Sequence, residues 1–252
     1  MFLGLKLWSI NTDAYLCEAR RLHAEGGFDF IELYIVPGTV DTLPQWKALG
    51  IPFTLHAPHF AHGMNLAKRE KDVENRKKYE EVKHFADYLN ASRIVFHGGV
   101  EGAIEETARQ LDAFQEPRAL IENKPYRALP NMGGKFCRGH SPEEIRYVVE
   151  QCRCGFCLDF GHAVCAAASM GQEAYGIIDE FQKFKPTYFH LSDVENLASE
   201  YDTHPHLGTG VLDIPKILTA LPSNSRVTIE TVKNSPETLD DFIEDIKWIR
   251  HL

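Results

Sequence analysis

Eight short apolar runs, separated by longer stretches with helical patterning, predict a single (β/α)8 TIM barrel domain over residues 1–252. The length agrees, because 252 residues is the ordinary size of such a barrel. The spacing agrees too: the runs recur roughly every 30 residues, as expected when one chain is divided among eight βα units.

In chain order the runs are residues 2–8, 28–36, 51–55, 93–96, 118–121, 155–158, 187–191 and 226–229. Between them, residues 68–89 form a long charged stretch with apolar positions at helical spacing. Ser141-Pro142-Glu143-Glu144 has the composition of a helix start, with Ser as N-cap, Pro in the first turn and Glu three residues on. Ser235-Pro236-Glu237 is expected to open the last helix in the same way. There is no linker, low-complexity tract or repeat beyond the βα unit. Two long loops, residues 123–140 and 193–210, each follow a predicted strand. That places them at the C-terminal mouth, where barrels carry their chemistry. The first holds Lys124, Arg127, Lys135 and Arg138; the second is polar and bears histidine.

At 44% hydrophobic and 25% charged, the composition is that of a folded globular domain. No apolar run is long enough to cross a bilayer. The first eight residues lack the shape and cleavage site of a signal peptide, so a cytoplasmic protein without a membrane partner is expected. Four of the six cysteines (Cys152, Cys154, Cys157 and Cys165) crowd into fourteen residues, unlike a spaced disulfide framework. Cys157 falls inside an apolar run, which favours a packing role over a zinc site there. A net charge of −9 argues against a broad basic face for nucleic acid.

Six of the eight runs end in a residue able to bind a metal ion. The strand ends supply His56 and then His59, His97, Glu122, Asp159 followed by His162, His190, and Glu230; the late loop adds Asp202 and His204. One such residue alone is ordinarily a satisfied or solvated polar group. A parallel barrel, however, brings all its strand ends to one mouth, so residues distant in sequence converge. Imidazole with carboxylate suits zinc, manganese or iron better than calcium. Five imidazoles and four carboxylates exceed the needs of one ion and match about three at four to five ligands each, some shared.

At these residues the chain resembles the endonuclease IV branch (AP endonuclease family 2) of the xylose-isomerase-like TIM barrels. The resemblance rests on Pro58-His59 with Asn65-Leu66, Phe96-His97-Gly98-Gly99, Ile121-Glu122-Asn123, and the run from Cys157 to Ala163 that contains Leu158-Asp159-Phe160-Gly161-His162. It continues through His190-Leu191-Ser192-Asp193, Asp202-Thr203-His204-Pro205-His206-Leu207-Gly208-Thr209-Gly210 and Ile229-Glu230-Thr231. It implies three zinc ions. His59, His97 and Glu122 would hold the first. Glu122, Asp159, His190 and Glu230 would hold the second, with Glu122 bridging at the catalytic centre. His162, Asp202 and His204 would hold the third. It prefers His59 over His56 as the ligand of its strand. The implied chemistry is phosphodiester hydrolysis, with abasic-site DNA as the family substrate. Lys124, Arg127, His62 and His206 are expected near the substrate, a phosphodiester or sugar phosphate. His23, His84, His140 and His251 are expected on helices or the surface.

The chain departs from that branch where DNA would be read. Residues 35–41 contain no Arg or Gln, His62 stands where the family has Tyr, and Trp8-Ser9-Ile10-Asn11-Thr12-Asp13 replaces a Gly-rich loop. Base flipping needs a wedge to offset unstacking. The competing reading is a sugar or sugar-phosphate isomerase or epimerase. Such a site needs Glu122, Asp159, His190 and Glu230 around one ion and has no use for His59, His97, Asp202 and His204 as ligands.

Overall fold

The computed structural model describes every residue except Thr12, in the segment after the first strand. Eight parallel strands close into a barrel: β1 (Phe2–Trp8), β2 (Phe30–Tyr34), β3 (Phe53–His56), β4 (Ile94–His97), β5 (Ala119–Glu122), β6 (Gly155–Asp159), β7 (Tyr188–Leu191) and β8 (Arg226–Ile229). Each strand pairs with the next, and β8 returns to β1. The helices are α1 (Asp13–Ala24), α2 (Leu43–Lys47), α3 (Asp72–Leu89), α4 (Ile104–Ala113), α5 (Pro142–Cys152), α6 (Phe160–Met170), α7 (Ala174–Gln182), α8 (Ile214–Ala220) and α9 (Asp240–Arg250). No helix among the described residues is long and apolar enough to cross a membrane.

Period-two alternation divides the strand side chains into two sets. One set, including Leu5, Leu7, Ile31, Leu33, Leu55, Phe96, Leu158 and Ile229, packs with the helices into the main core. The other points into the barrel, where Phe30, Val95, Leu120, Cys157 and Tyr188 form a separate buried cluster. Val95, Leu120, Cys157 and Tyr188 each stand two residues before a predicted ligand, so His97, Glu122, Asp159 and His190 share the inward face. Gly4 is required by this filling, because a Cβ there would overlap the Phe30 ring.

The α5 start is as expected. Ser141 accepts from the Glu144 amide at 3.3 Å and Pro142 is the first helical residue. The expected start of the last helix is corrected. Ser235 Oγ accepts from the Glu237 and Thr238 amides, at 3.1 and 3.2 Å, and so caps an isolated turn. The helix itself begins at Asp240. All six cysteines are free thiols, with Cys157 buried inside β6.

Candidate metal centre

Barrel register places the ligand set. His97 lies beside Glu122 across β4 and β5, and Asp159 beside His190 across β6 and β7. Four groupings result, each with its donor atoms within 4.8 Å of one another: His56 with His97 and Glu122, Asp159 with His190 and Glu230, His162 with Asp202 and His204, and, overlapping these, Glu122 with Asp159 and His162. Glu122 joins them. Its Oε2 lies 3.1 Å from His56 Nε2 and 3.0 Å from His97 Nε2, and its Oε1 lies 2.9 Å from His162 Nδ1. A second carboxylate, Asp159, lies within reach of Glu122 and His162 as well.

In the second grouping, His190 Nδ1 lies 2.8 Å from Glu230 Oε2 and 3.8 Å from Asp159 Oδ2. In the third, Asp202 Oδ2 lies 3.2 Å from His162 Nε2 and 3.4 Å from His204 Nδ1. Asp202 Oδ2 and His204 Nδ1 are buried without a well-directed hydrogen bond among the described residues, whereas His190 Nδ1 and Glu230 Oε2 face each other as a buried ion pair. Buried polar atoms ordinarily find partners, and a bound ion is one standard explanation of those that do not. The third grouping therefore fits a divalent cation. His204 adds strain at the same place, with a left-handed backbone at φ 50°.

Electrostatics agree. Burial would raise the Glu230 carboxyl, but Lys6 and His190 outweigh it and hold it well below the usual range. Burial would likewise raise Glu122, and Lys124, His97 and His190 hold it low. Burial would lower His190, yet Cys157, Glu32 and Glu230 raise it well above an ordinary imidazole. A divalent ion bound at His190 would have to displace that proton. Asp159 is pushed up to about 6, chiefly by burial and by its neighbours Asp202 and Glu122. His59 is lowered to about 3 by burial and by Lys124, leaving it neutral and able to donate its lone pair.

The positions of the expected residues divide clearly. His97, Glu122, Asp159, His162, His190, Asp202, His204 and Glu230 come together at the mouth. The β3 histidines are distributed differently from expectation. His56, set aside in favour of its neighbour, is the one in contact with Glu122. His59 stands further out, its ring stacked on His97 at 5.7 Å between centroids, and lines the same cavity. Lys124 lies among the ligands: its Nζ is 3.3 Å from His97 Nε2, 3.1 Å from His162 Nε2 and 3.5 Å from Glu122 Oε1. Arg127 lines the adjoining cavity with Phe60, Leu129 and Met132. His62 accompanies Trp8 and Tyr34 at the rim, 2.7 Å from the Tyr34 hydroxyl. His206 does not join them; it is held 3.0 Å from Asp245 of α9. His140 is buried, its Nδ1 2.7 Å from the Cys137 carbonyl, and is not a surface residue.

Two residues escaped the sequence reading. Lys6 Nζ lies 2.5 Å from Glu32 and 3.0 Å from Glu230. Glu32 in turn meets His190 Nε2 at 2.9 Å and accepts from Tyr188 and Thr228 at 2.5 and 2.8 Å. His190 thus offers Nδ1 to the mouth because Glu32 occupies its Nε2, the usual way a carboxylate orients a ligating histidine. Burial would raise the Glu32 carboxyl, but His190 and Lys6 bring it down to about 2. The available signal was alternation: each is a charged residue inside an apolar run, two positions before a residue of the mouth.

The loop that carries Asp202 and His204 is pinned from below. Asp193, at the end of β7, accepts from the amides of Val194, Leu212, Gly208 and Gly210 at 2.8, 3.0, 3.0 and 2.9 Å. Gly210 is needed there, since a Cβ would overlap the Val194 carbonyl oxygen. Asp193→Ala is expected to cost at least about 2 kcal/mol, given four charge-assisted bonds, and to weaken metal binding at the third grouping. Urea denaturation and metal titration would check it; unchanged values in both would mean that the loop holds without Asp193.

A family model described as xylose isomerase-like TIM barrel matches residues 21–252. A protein of Alkaliphilus oremlandii (strain OhILAs) named as a probable endonuclease 4 is 24% identical over 211 residues, covering 77% of this chain and 73% of that protein. Among solved structures, endonuclease IV from Thermus thermophilus superposes with a TM-score of 0.72 at 20% identity, covering all of both chains. A D-tagatose 3-epimerase-like protein superposes with a TM-score of 0.73 at 16% identity, covering 100% of this chain and 96% of that one. At these identities the superpositions establish the fold, and endonuclease-like and epimerase-like neighbours share it equally. With the family model spanning nearly the whole barrel, the chain belongs to the xylose isomerase-like TIM barrels.

Proposed function

We propose that this chain is a divalent-metal-dependent phosphodiester hydrolase acting on a substrate smaller than duplex DNA. The observation that carries the reading is the grouping of His162, Asp202 and His204 alongside that of Asp159, His190 and Glu230, beside a cavity that also holds Lys124 and Arg127. A sugar isomerase needs the Asp159, His190 and Glu230 grouping with Glu122. It leaves the third grouping of His162, Asp202 and His204 without a task.

Zinc is the preferred ion, with manganese or iron compatible with the same ligands; bound there, it would activate water and polarise phosphoryl oxygens. The chain's own residues supply the rest. Glu122 sits between the groupings and keeps the imidazoles of His56, His97 and His162 turned inward. Lys124 and Arg127 place positive charge where a phosphate would enter. Asn123 locks the mouth of β5 to β6, donating to the Asp159 carbonyl and accepting from the Asp159 amide, both at 2.8 Å.

The restriction on size follows from the rim. Trp8 and Tyr34 stack at 4.7 Å, with His62 edge-on to Trp8, at the ends of β1 and β2. No Arg or Gln in residues 35–41 is available to enter a duplex.

A panel of bis(4-nitrophenyl) phosphate, an abasic-site duplex and a ketose phosphate tests this reading. The small diester is expected to be hydrolysed with zinc or manganese, with activity lost on chelation and restored by metal. Little nicking of the duplex is expected. Epimerisation of the ketose without diester cleavage would replace this proposal with the isomerase reading, and efficient nicking would overturn the restriction on size.

A further inference from the structure

One cavity joins the metal centre to an apolar wall. Part of its lining is His97, His162, Asp202 and His204, with Lys124 among them. The rest is chiefly Phe60, Val100, Ala128, Leu129, Met132 and Cys137, with Arg127 beside them. Its volume is about 630 Å3, open to solvent, within the range that accepts a small organic group.

The wall is held in place by the chain itself. Val100, Ala128 and Cys137 are buried together as a small core apart from the main one, and Phe60 and Met132 pack against it. The segment after β5 folds back on itself, Ala128 donating to the Lys135 carbonyl at 2.8 Å and Cys137 to the Tyr126 carbonyl at 2.9 Å. It is fastened to the segment after β4 by the Arg138 amide on the Gly99 carbonyl at 2.9 Å and the Glu101 amide on the Phe136 carbonyl at 2.6 Å. The Arg138 guanidinium adds bonds to the Glu101 carbonyl at 3.2 Å and to Glu144 at 2.9 Å.

None of the six wall side chains bears a charge, a hydroxyl or an amide. Burial pushes the Cys137 thiol up to about 11, so it stays neutral. Backbone groups along the wall are taken too. Asn65 accepts from the Val100 amide at 3.1 Å and donates to the Val100 carbonyl at 3.0 Å, and the Leu129 carbonyl accepts from the Met132 amide at 2.9 Å. A sugar or a nucleobase placed there would lose water without gaining partners, whereas an apolar group would lose nothing. Leu129 is 36% exposed and Phe60 and Met132 are half-buried, so apolar surface faces the cavity uncovered.

Resting on the phosphodiester reading above, we propose that one ester group of the substrate is apolar, an aryl or short alkyl group seated against Phe60, Leu129 and Met132, while the phosphate lies at Lys124 and Arg127 beside the metal ligands. The occupant is part of the substrate because the wall and the ligand residues line one continuous cavity. The same wall selects against a sugar or nucleoside in that position.

The full chain loaded with zinc would be titrated by calorimetry with methylphosphonate, butylphosphonate, phenylphosphonate and glycerol 3-phosphate. All four present a phosphoryl anion and differ in the group that accompanies it. Phenylphosphonate is expected to bind about 10-fold tighter than methylphosphonate or better, the low end of what burying a ring supplies, with butylphosphonate between them. Glycerol 3-phosphate is expected to bind no tighter than methylphosphonate. Leu129→Asn combined with Met132→Gln, which keeps size and adds amides, is expected to bring the phenyl-to-methyl ratio to within about twofold of one. Met132→Gln alone, expected to lower the ratio about threefold, serves if the double variant folds poorly. A ratio near one in wild type, a ratio unchanged in the variants, glycerol 3-phosphate binding as tightly as phenylphosphonate, or no binding of any of the four would each overturn the proposal. No bond is cleaved in this measurement. Phenyl preference in a protein that hydrolyses no diester would keep the pocket and remove the reaction, and diester hydrolysis without phenyl preference would do the reverse.

Discussion

Glu122→Ala is expected to abolish measurable diester hydrolysis and to reduce bound metal in the same protein. Glu122 is the one carboxylate in contact with His56, His97, His162 and Lys124 together. Removing it leaves His56 Nε2 and His97 Nε2 without their carboxylate partner, though His162 keeps the Asn123 carbonyl, and it leaves a buried ammonium without its counter-charge. Loss of a residue that merely orients a ligand costs about 10–100-fold in affinity or activity. Loss of a residue that joins the groupings should exceed that range. Glu122→Gln separates the two roles, because it preserves shape and removes charge. Elemental analysis with kinetics on bis(4-nitrophenyl) phosphate reads both. Metal content and kcat within a few-fold of wild type in the alanine variant would remove Glu122 from the centre.

Glu32→Leu is expected to be the most destabilising single change near the site, at about 3–5 kcal/mol, the range found when one partner of a buried ion pair is removed. Glu32 is fully buried and is shared by Lys6, His190, Tyr188 and Thr228. Without it, Lys6 retains Glu230 alone, and His190 Nε2 and the Tyr188 hydroxyl lose an acceptor inside the barrel. His190 would then be free to turn, so zinc affinity at the second grouping should fall about 10–100-fold. The paired replacement Lys6→Met with Glu32→Leu should recover part of the stability, because apolar groups of similar volume remove the stranded charge. It should not recover the metal affinity, because His190 still lacks its acceptor. Urea denaturation and zinc titration separate these effects. Equal stability of Glu32→Leu and wild type would show that Lys6 is satisfied by Glu230 alone.

These two residues mark the difference between what local pattern reveals and what it hides. Glu122 was legible because it ends an apolar run, and residues at strand ends must meet at a barrel mouth. Glu32 was as well placed in the pattern, on the inward face of β2 two residues before Tyr34, but a charged residue in the middle of a strand has no meaning until its partner is known. That partner, Lys6, is 26 residues away in sequence. Barrel closure brings β8 beside β1 and so adds Glu230 to the pair.

The choice between His56 and His59 was likewise beyond local pattern. Both follow the same apolar run. His56 ends β3 with its ring inside the mouth, whereas the Pro58 turn carries His59 to the rim, beside His97 and Tyr34. His206 falls outside for a related reason: α9 supplies Asp245, which holds it away from the cavity.

By itself the sequence determined the eight βα units and the approximate strand positions, and it pointed to the strand-end and loop residues, His97, Glu122, Asp159, His162, His190, Asp202, His204 and Glu230, that lie together at the mouth. It could do so because strand periodicity and the identity of each strand's last residue are local properties, and a parallel barrel turns them into position. Only the tertiary structure decided which β3 histidine reaches Glu122, that Lys6 and Glu32 support the centre from below, and that Lys124 stands inside it. Those outcomes depend on side-chain reach across a closed barrel, where the partner of a buried charge comes from whichever strand closure places opposite it.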